Sequence, residues 1–131
     1  MTRLRDRRSA QAMVEFALTF LLLMMLMIGV LDLGRGVLTS VALTNAVREG
    51  ARTGGILYPA SGWDTQAANR VRATGAIIDP SVLTLTTVTE SSGGSTFVRV
   101  SGQYRFRLIA PYITIMRSEI LFNSTARMLA G

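Results

Sequence analysis

Glu15 is the residue in this chain whose placement asks for a chemical explanation. It stands at the start of an apolar run, Phe16–Leu31 (FALTFLLLMMLMIGVL), interrupted only by Thr19 and Gly29. A carboxylate inside the apolar layer of a bilayer costs up to about 3 kcal/mol at a helix centre, so it needs a use or a partner. Two readings are open. Glu15 pairs with a group on a neighbouring helix, or it lies near the membrane boundary and reaches lipid headgroups.

Little else in the chain offers chemistry. There is no cysteine, which excludes disulfides, thiolate nucleophiles and cysteine-rich metal sites. There is no histidine, the commonest general base and the commonest metal ligand. Asp64, Asp79, Glu90 and Glu119 are scattered without a local pair, and no base stands ready for a serine. The sequence therefore points away from an enzyme and calls for no cofactor and no metal.

All 14 basic residues are arginine, and the net charge is +6. Arg3, Arg5, Arg7 and Arg8, offset by Asp6, supply +3 of it within the first ten residues. This cluster abuts the apolar run, so membrane topology explains it better than nucleic acid does. Extended back through Ala10–Val14, the run reaches about 20 residues, enough to cross a bilayer as a helix. No arginine follows until Arg35. The positive-inside rule then places the N-terminus in the cytoplasm and everything after Leu33 outside. An ordinary signal peptide would carry a small-x-small cleavage site after its apolar core. Here LDLGRGVLTS follows the core, and the small residues Ser9, Ala10 and Ala12 precede it. A cut there would remove the basic leader and leave the apolar helix at the new N-terminus.

The helical pattern continues past Leu33. Val37, Val41, Thr44 and Val47 recur at three- and four-residue spacing, widened by Leu38, Ala42 and Ala46, with Asn45, Arg48, Glu49 and Arg52 on the polar side. Gly54-Gly55 reads as a C-terminal stop, so the spacing predicts one helix over 11–53, about 65 Å long. Gly50 and Gly54 have GxxxG spacing, read here as C-capping. Ser61 and Asp64 resemble a capping box for a second helix closed by Gly75, with Trp63, Ala67 and Val71 on one face and Trp63 a packing residue. After Pro80 the period changes to two. Strands are predicted over 82–89, 96–108 and 120–128, with a turn or short loop over 90–95 and a break at Pro111. Val98, Val100, Gly102, Tyr104, Phe106 and Leu108 face one way; Arg99, Ser101, Gln103, Arg105 and Arg107 face the other. In the third strand Ile120, Phe122, Ala126 and Met128 face inward. The arginine row either binds an acidic partner or is the solvated face of the sheet.

The fold class is therefore α+β: a long N-terminal helix, membrane-spanning in its first half, packed on a small antiparallel sheet with one short extra helix. The organisation is a basic cytoplasmic leader (1–10), a transmembrane helix (11–33), its amphipathic continuation (34–55) and a small extracytoplasmic domain (56–131).

The VEFAL start, the unbroken apolar run, the GVLDLG exit and the closing NAVREGAR together cover about residues 10–55. This combination resembles the N-terminal module of TadE-like proteins, pseudopilins or minor pilins of the tight-adherence (Tad/Flp) branch of type IV pilus machinery. The resemblance implies a role in pilus assembly and secretion, with other pilins and the Tad assembly machinery as partners, no nucleic acid, and a possible prepilin peptidase. It implies a cut between Ala10 and Gln11, after which Glu15 is the fifth residue and can pair with the free amine of Gln11 on a neighbouring subunit to set register. Two positions depart from the family pattern: Ala10 stands where glycine is usual, and Phe20 where a proline is common, which suggests a straighter helix. Phe16 replaces the tyrosine preferred by major pilins, which favours a minor or assembly role. Phe16, Phe20 and Gly29 are the expected packing positions of the membrane helix. The location implied is a single-pass inner-membrane protein, with a possible place in a surface pilus. The alternative is an unprocessed bitopic protein that serves an envelope complex as an assembly factor or partner-binding module.

Overall fold

The computed structural model describes residues 2–109 and 119–131. Pro111, expected to break the second strand, lies outside them. The elements are α1 (Thr2–Leu57), α2 (Trp63–Thr74), a short 3-10 turn (Pro80–Val82), β1 (Leu83–Ser92), β2 (Ser95–Arg107) and β3 (Glu119–Leu129). The architecture is the expected α+β arrangement. The three strands form an antiparallel sheet in the order β1-β2-β3.

β1 and β2 are joined more tightly than the sequence suggested. Ser92 pairs with Ser95, so only Gly93 and Gly94 form the turn. Both have positive φ, 61° and 79°, which is what a two-residue hairpin loop matching the twist of its strands requires. The alternation in β2 is as expected. Val98, Val100, Gly102 and Phe106 are buried, and Tyr104 and Leu108 are half-buried. In β3, Phe122 and Ala126 are half-buried, while Ile120 and Met128 stay 43% and 42% exposed.

The core gathers Leu43, Ala46, Val47 and Ala51 from α1, Val71 from α2, Ile78, and Val98 and Val100 from β2. This corrects the expected stripe on α1. Ala46 and Val47 are buried as predicted, but Val37, Leu38 and Val41 are 64%, 61% and 54% exposed. The face turned to the sheet above the apolar run is instead Asp32, Gly36, Thr39, Leu43, Ala46, Val47, Gly50 and Gly54. The reason is distance: at Gly50 and Gly54 α2 and β2 come close to the helix, and Leu43, Ala46 and Val47 fill the core between.

The glycines show this directly. A Cβ on Gly50 would collide with the Val71 side chain and lie 3.1 Å from the Ala67 carbonyl oxygen. One on Gly54 would lie 2.9 Å from Val98 Cγ1, and one on Gly102 would lie 2.8 Å from Val47 Cγ2. Gly50 and Gly54 are thus the close-contact groove for α2 and β2, not the expected C-cap. The helix runs on through both glycines to Leu57 and stops short of Pro59, which disfavours helical backbone at the residue before it. At its other end α1 begins at Thr2, nine residues before the expected Gln11. The capping box also gives way. Gly62, with φ 77°, is the N-cap of α2 and no side chain caps it.

The contrast between two glycines makes a test. Gly50→Leu is expected to destabilise the fold by about 2 kcal/mol net, overpacking outweighing the gain in helix propensity. Gly34 has nothing within 4 Å of its would-be Cβ. Gly34→Ala is accordingly expected to stabilise by up to about 1 kcal/mol. Thermal unfolding in detergent micelles checks both, and equal effects at the two sites would contradict the packing described.

Candidate assembly site on the long helix

The first half of α1 stands clear of the rest of the molecule. Met13, Phe16, Leu22 and Leu26 are 73%, 70%, 67% and 65% exposed. A contiguous apolar surface of this size marks a membrane or protein contact. Among the described residues one helical stretch, Ala10–Leu57, is long and apolar enough to cross a membrane.

The sequence-selected residues lie on this stretch. Ala10 and Gln11 are exposed within a continuous helix. Glu15 is also exposed. Gln11, Glu15 and Thr19 follow at four-residue intervals and so share one helical face, a narrow polar line on an apolar cylinder. The Thr19 hydroxyl donates to the Glu15 carbonyl oxygen at 2.9 Å, which satisfies it without a partner outside the helix. Phe16 and Phe20 stack on each other, with ring centroids 6.1 Å apart, and both face outward. Gly29 is half-buried.

Sequence reasoning missed the best-defined polar site. Asp32 is 2% exposed, just past the end of the apolar run. Its Oδ1 accepts from Arg35 Nη1 at 2.9 Å, and its Oδ2 accepts from the backbone N–H of Ile109 at 2.8 Å. The second bond joins α1 to the chain just after β2, 77 positions away. Arg35 lies over the Phe106 ring, 5.2 Å from its centroid, and the Thr39 hydroxyl donates to the Arg35 carbonyl oxygen at 2.8 Å. The available signal was an aspartate directly behind an apolar run with an arginine three residues on, a helical ion-pair spacing. The backbone partner could not be read from any local pattern.

A second polar clasp holds α1 to α2. Glu49 accepts from Arg52 at 3.0 Å through both carboxylate oxygens and from Arg70 of α2 at 3.1 and 3.2 Å. The hydrogen bonds from Arg52, then those from Arg70, hold the Glu49 pKa down to about 2, below its ordinary 4.5. A depressed carboxylate contributes its stability fully above its unfolded pKa and loses it as pH falls through the folded one. The clasp is therefore expected to weaken between about pH 4.5 and pH 2. The acid-induced loss of stability in that window should be smaller in Glu49→Gln than in the wild type; identical acid profiles would contradict the clasp.

The arginine row is divided in its surroundings. Arg99 pairs with Glu90 at 2.8 Å, whereas Arg105 and Arg107 are exposed. On the same outer face Arg127 stacks over the Phe97 ring at 3.7 Å.

The stretch that carries the exposed apolar helix, Glu15 and Asp32 is also the part that matches a family model. Residues 10–52 match the family model described as TadE-like protein. Over these residues the chain is similar to TadE-like proteins. No curated protein and no solved structure matches the chain. TadE-like proteins are a pilin-like structural family rather than known enzymes. The TadE-like match ends at Arg52, within the α1–α2 contact, so the sheet and α2 lie outside it.

Proposed function

We propose that this TadE-like protein is a pseudopilin or minor pilin that acts in assembly of a tight-adherence pilus and its secretion apparatus. The observation that carries the reading is the TadE-like segment laid on an apolar helix that the molecule itself leaves uncovered, with one carboxylate near its start. The helix anchors the protein in the inner membrane as a single span, N-terminus in the cytoplasm. Cleavage between Ala10 and Gln11 by a prepilin peptidase would free an amine on the same helical face as Glu15. Glu15 of one subunit would then pair with that amine on the next, while Phe16, Phe20 and Gly29 pack between helices. The α+β domain makes the lateral contacts outside.

Deletion of the protein from its native cell is expected to abolish the surface fibre, and the wild-type chain is expected to restore it. Normal fibres in the deletion strain would sink the reading. Ala10 in place of the usual glycine supports a second reading, an unprocessed bitopic assembly factor, which differs in keeping its first ten residues.

A further inference from the structure

Around residues 32–41 the molecule is built inside out. The polar side chains of α1 at this level are turned inward or bonded internally: Asp32 and Thr39 are 2% and 5% exposed, and Arg35 is tied to Asp32. The apolar ones point out: Leu33, Val37, Leu38 and Val41 are 72%, 64%, 61% and 54% exposed. At the same height on the domain, Ile109, Ile120 and Leu121 are 63%, 43% and 51% exposed. A groove of about 360 Å³ runs between helix and sheet there, walled by Leu33, Val37, Val41, Phe106, Ile120 and Phe122. One turn further along α1 the outer face becomes polar, with Asn45, Arg48 and Arg52 all exposed.

Water is the wrong solvent for such a surface, and hydrocarbon is the right one. Polar groups satisfied within the protein and apolar groups outside are what a bilayer imposes. The surface is also continuous with that of the apolar run, since Val30, Leu31 and Leu33 are 59%, 64% and 72% exposed. We propose that the outer leaflet reaches Val41 rather than ending at Leu33, so that the Phe106–Ile109 end of the domain is immersed in it. Lipid acyl chains then fill the groove. This rests on reading α1 as a membrane span.

The dimensions agree when the helix tilts: from Phe16 to Val41 the exposed apolar helix measures about 38 Å, and tilting fits a longer apolar stretch into a hydrocarbon core of about 30 Å. Arg35, Arg105 and Arg107 lie at the same height in a separate pocket that also holds Asp79 and Glu119. Their long side chains can reach headgroup phosphate from there. Glu15 falls at the opposite, cytoplasmic headgroup level in the isolated subunit.

The chain has no cysteine, so single-cysteine variants can carry one nitroxide each. Val30→Cys, Val37→Cys, Val41→Cys, Ile120→Cys and Arg48→Cys substitute exposed or groove-lining side chains. The full chain is placed in phosphatidylcholine–phosphatidylglycerol vesicles, and collisions with oxygen and with a polar nickel chelate are compared. The expected result is lipid-like exposure at Val30, Val37, Val41 and Ile120. The oxygen-to-nickel ratio should then fall about tenfold by Arg48, because hydrocarbon excludes the polar chelate. Water-like values at Val37, Val41 and Ile120 with lipid-like values at Val30 would overturn the proposal and leave the span intact. Water-like values at Val30 as well would overturn both. Exclusion of both reagents at Val37 and Ile120 would show a protein occupant, a second copy or this chain's own segment, and would overturn the lipid assignment.

Discussion

Glu15→Ala is expected to abolish assembly while leaving membrane insertion as good as, or better than, that of the wild type. The two effects have opposite signs for one reason. Removing a carboxylate from the apolar layer favours insertion by up to about 3 kcal/mol, less where Glu15 sits near the headgroups. Removing one partner of a desolvated charge pair between subunits costs on the order of 2–5 kcal/mol per contact, at least tenfold in association. No intramolecular ion pair of Glu15 exists among the described residues, so folding of the α+β domain should not change. Glu15→Gln keeps a hydrogen-bonding group without the charge and is expected to assemble poorly rather than not at all. Co-flotation with membranes and fibre counts read the two effects separately. Wild-type assembly by Glu15→Ala would remove the pairing mechanism and leave the headgroup reading of Glu15.

The second large effect is expected at Asp32. Its carboxylate accepts both the Ile109 N–H and the Arg35 guanidinium in a buried setting. Asp32→Ala leaves the part-buried Ile109 N–H without its acceptor and a half-exposed arginine without its counter-charge. A loss of this kind costs about 1–3 kcal/mol. The expected consequence is local: the end of β2 loosens from α1 while the Leu43–Val98–Val71 core holds. Amide exchange should rise at Phe106–Ile109 and stay unchanged at Val98–Val100. Asp32→Asn retains a carbonyl oxygen for the Ile109 N–H and should lose less. Uniform protection in Asp32→Ala would show that the bond contributes nothing to holding the domain on the helix.

What the sequence disclosed follows from how local each signal was. The apolar run, the switch from helical to alternating periodicity after Pro80 and the alternation of Val98 to Phe106 are patterns in consecutive residues, and each element they implied is present. The inward face of α1 was misread because hydrophobicity was taken to mark burial. Between residues 32 and 39 the buried positions of α1 are aspartate, glycine and threonine, and Val37 and Val41 face outward. That preference is set by the distance to Phe106, Phe122 and Val71, which no window along α1 contains. The same holds for Gly50 and Gly54, whose role depends on α2. Asp32 was visible only as part of a family-like GVLDLG exit, because its partner is an amide 77 positions away. The candidate register site is different in kind. Glu15 was legible because a charge inside an apolar run is anomalous in itself.

Pilin-like assembly requires a free amine at Gln11, so the decisive quantity is the mass of the mature chain. Intact-mass spectrometry of the protein purified from its native membrane, with and without the prepilin peptidase, reads it directly. Loss of residues 1–10 only when the peptidase is present is the expected result, and it makes Gln11 and Glu15 the centre of the mechanism. A full-length mass under both conditions would contradict the pseudopilin reading and leave a bitopic assembly factor in its place.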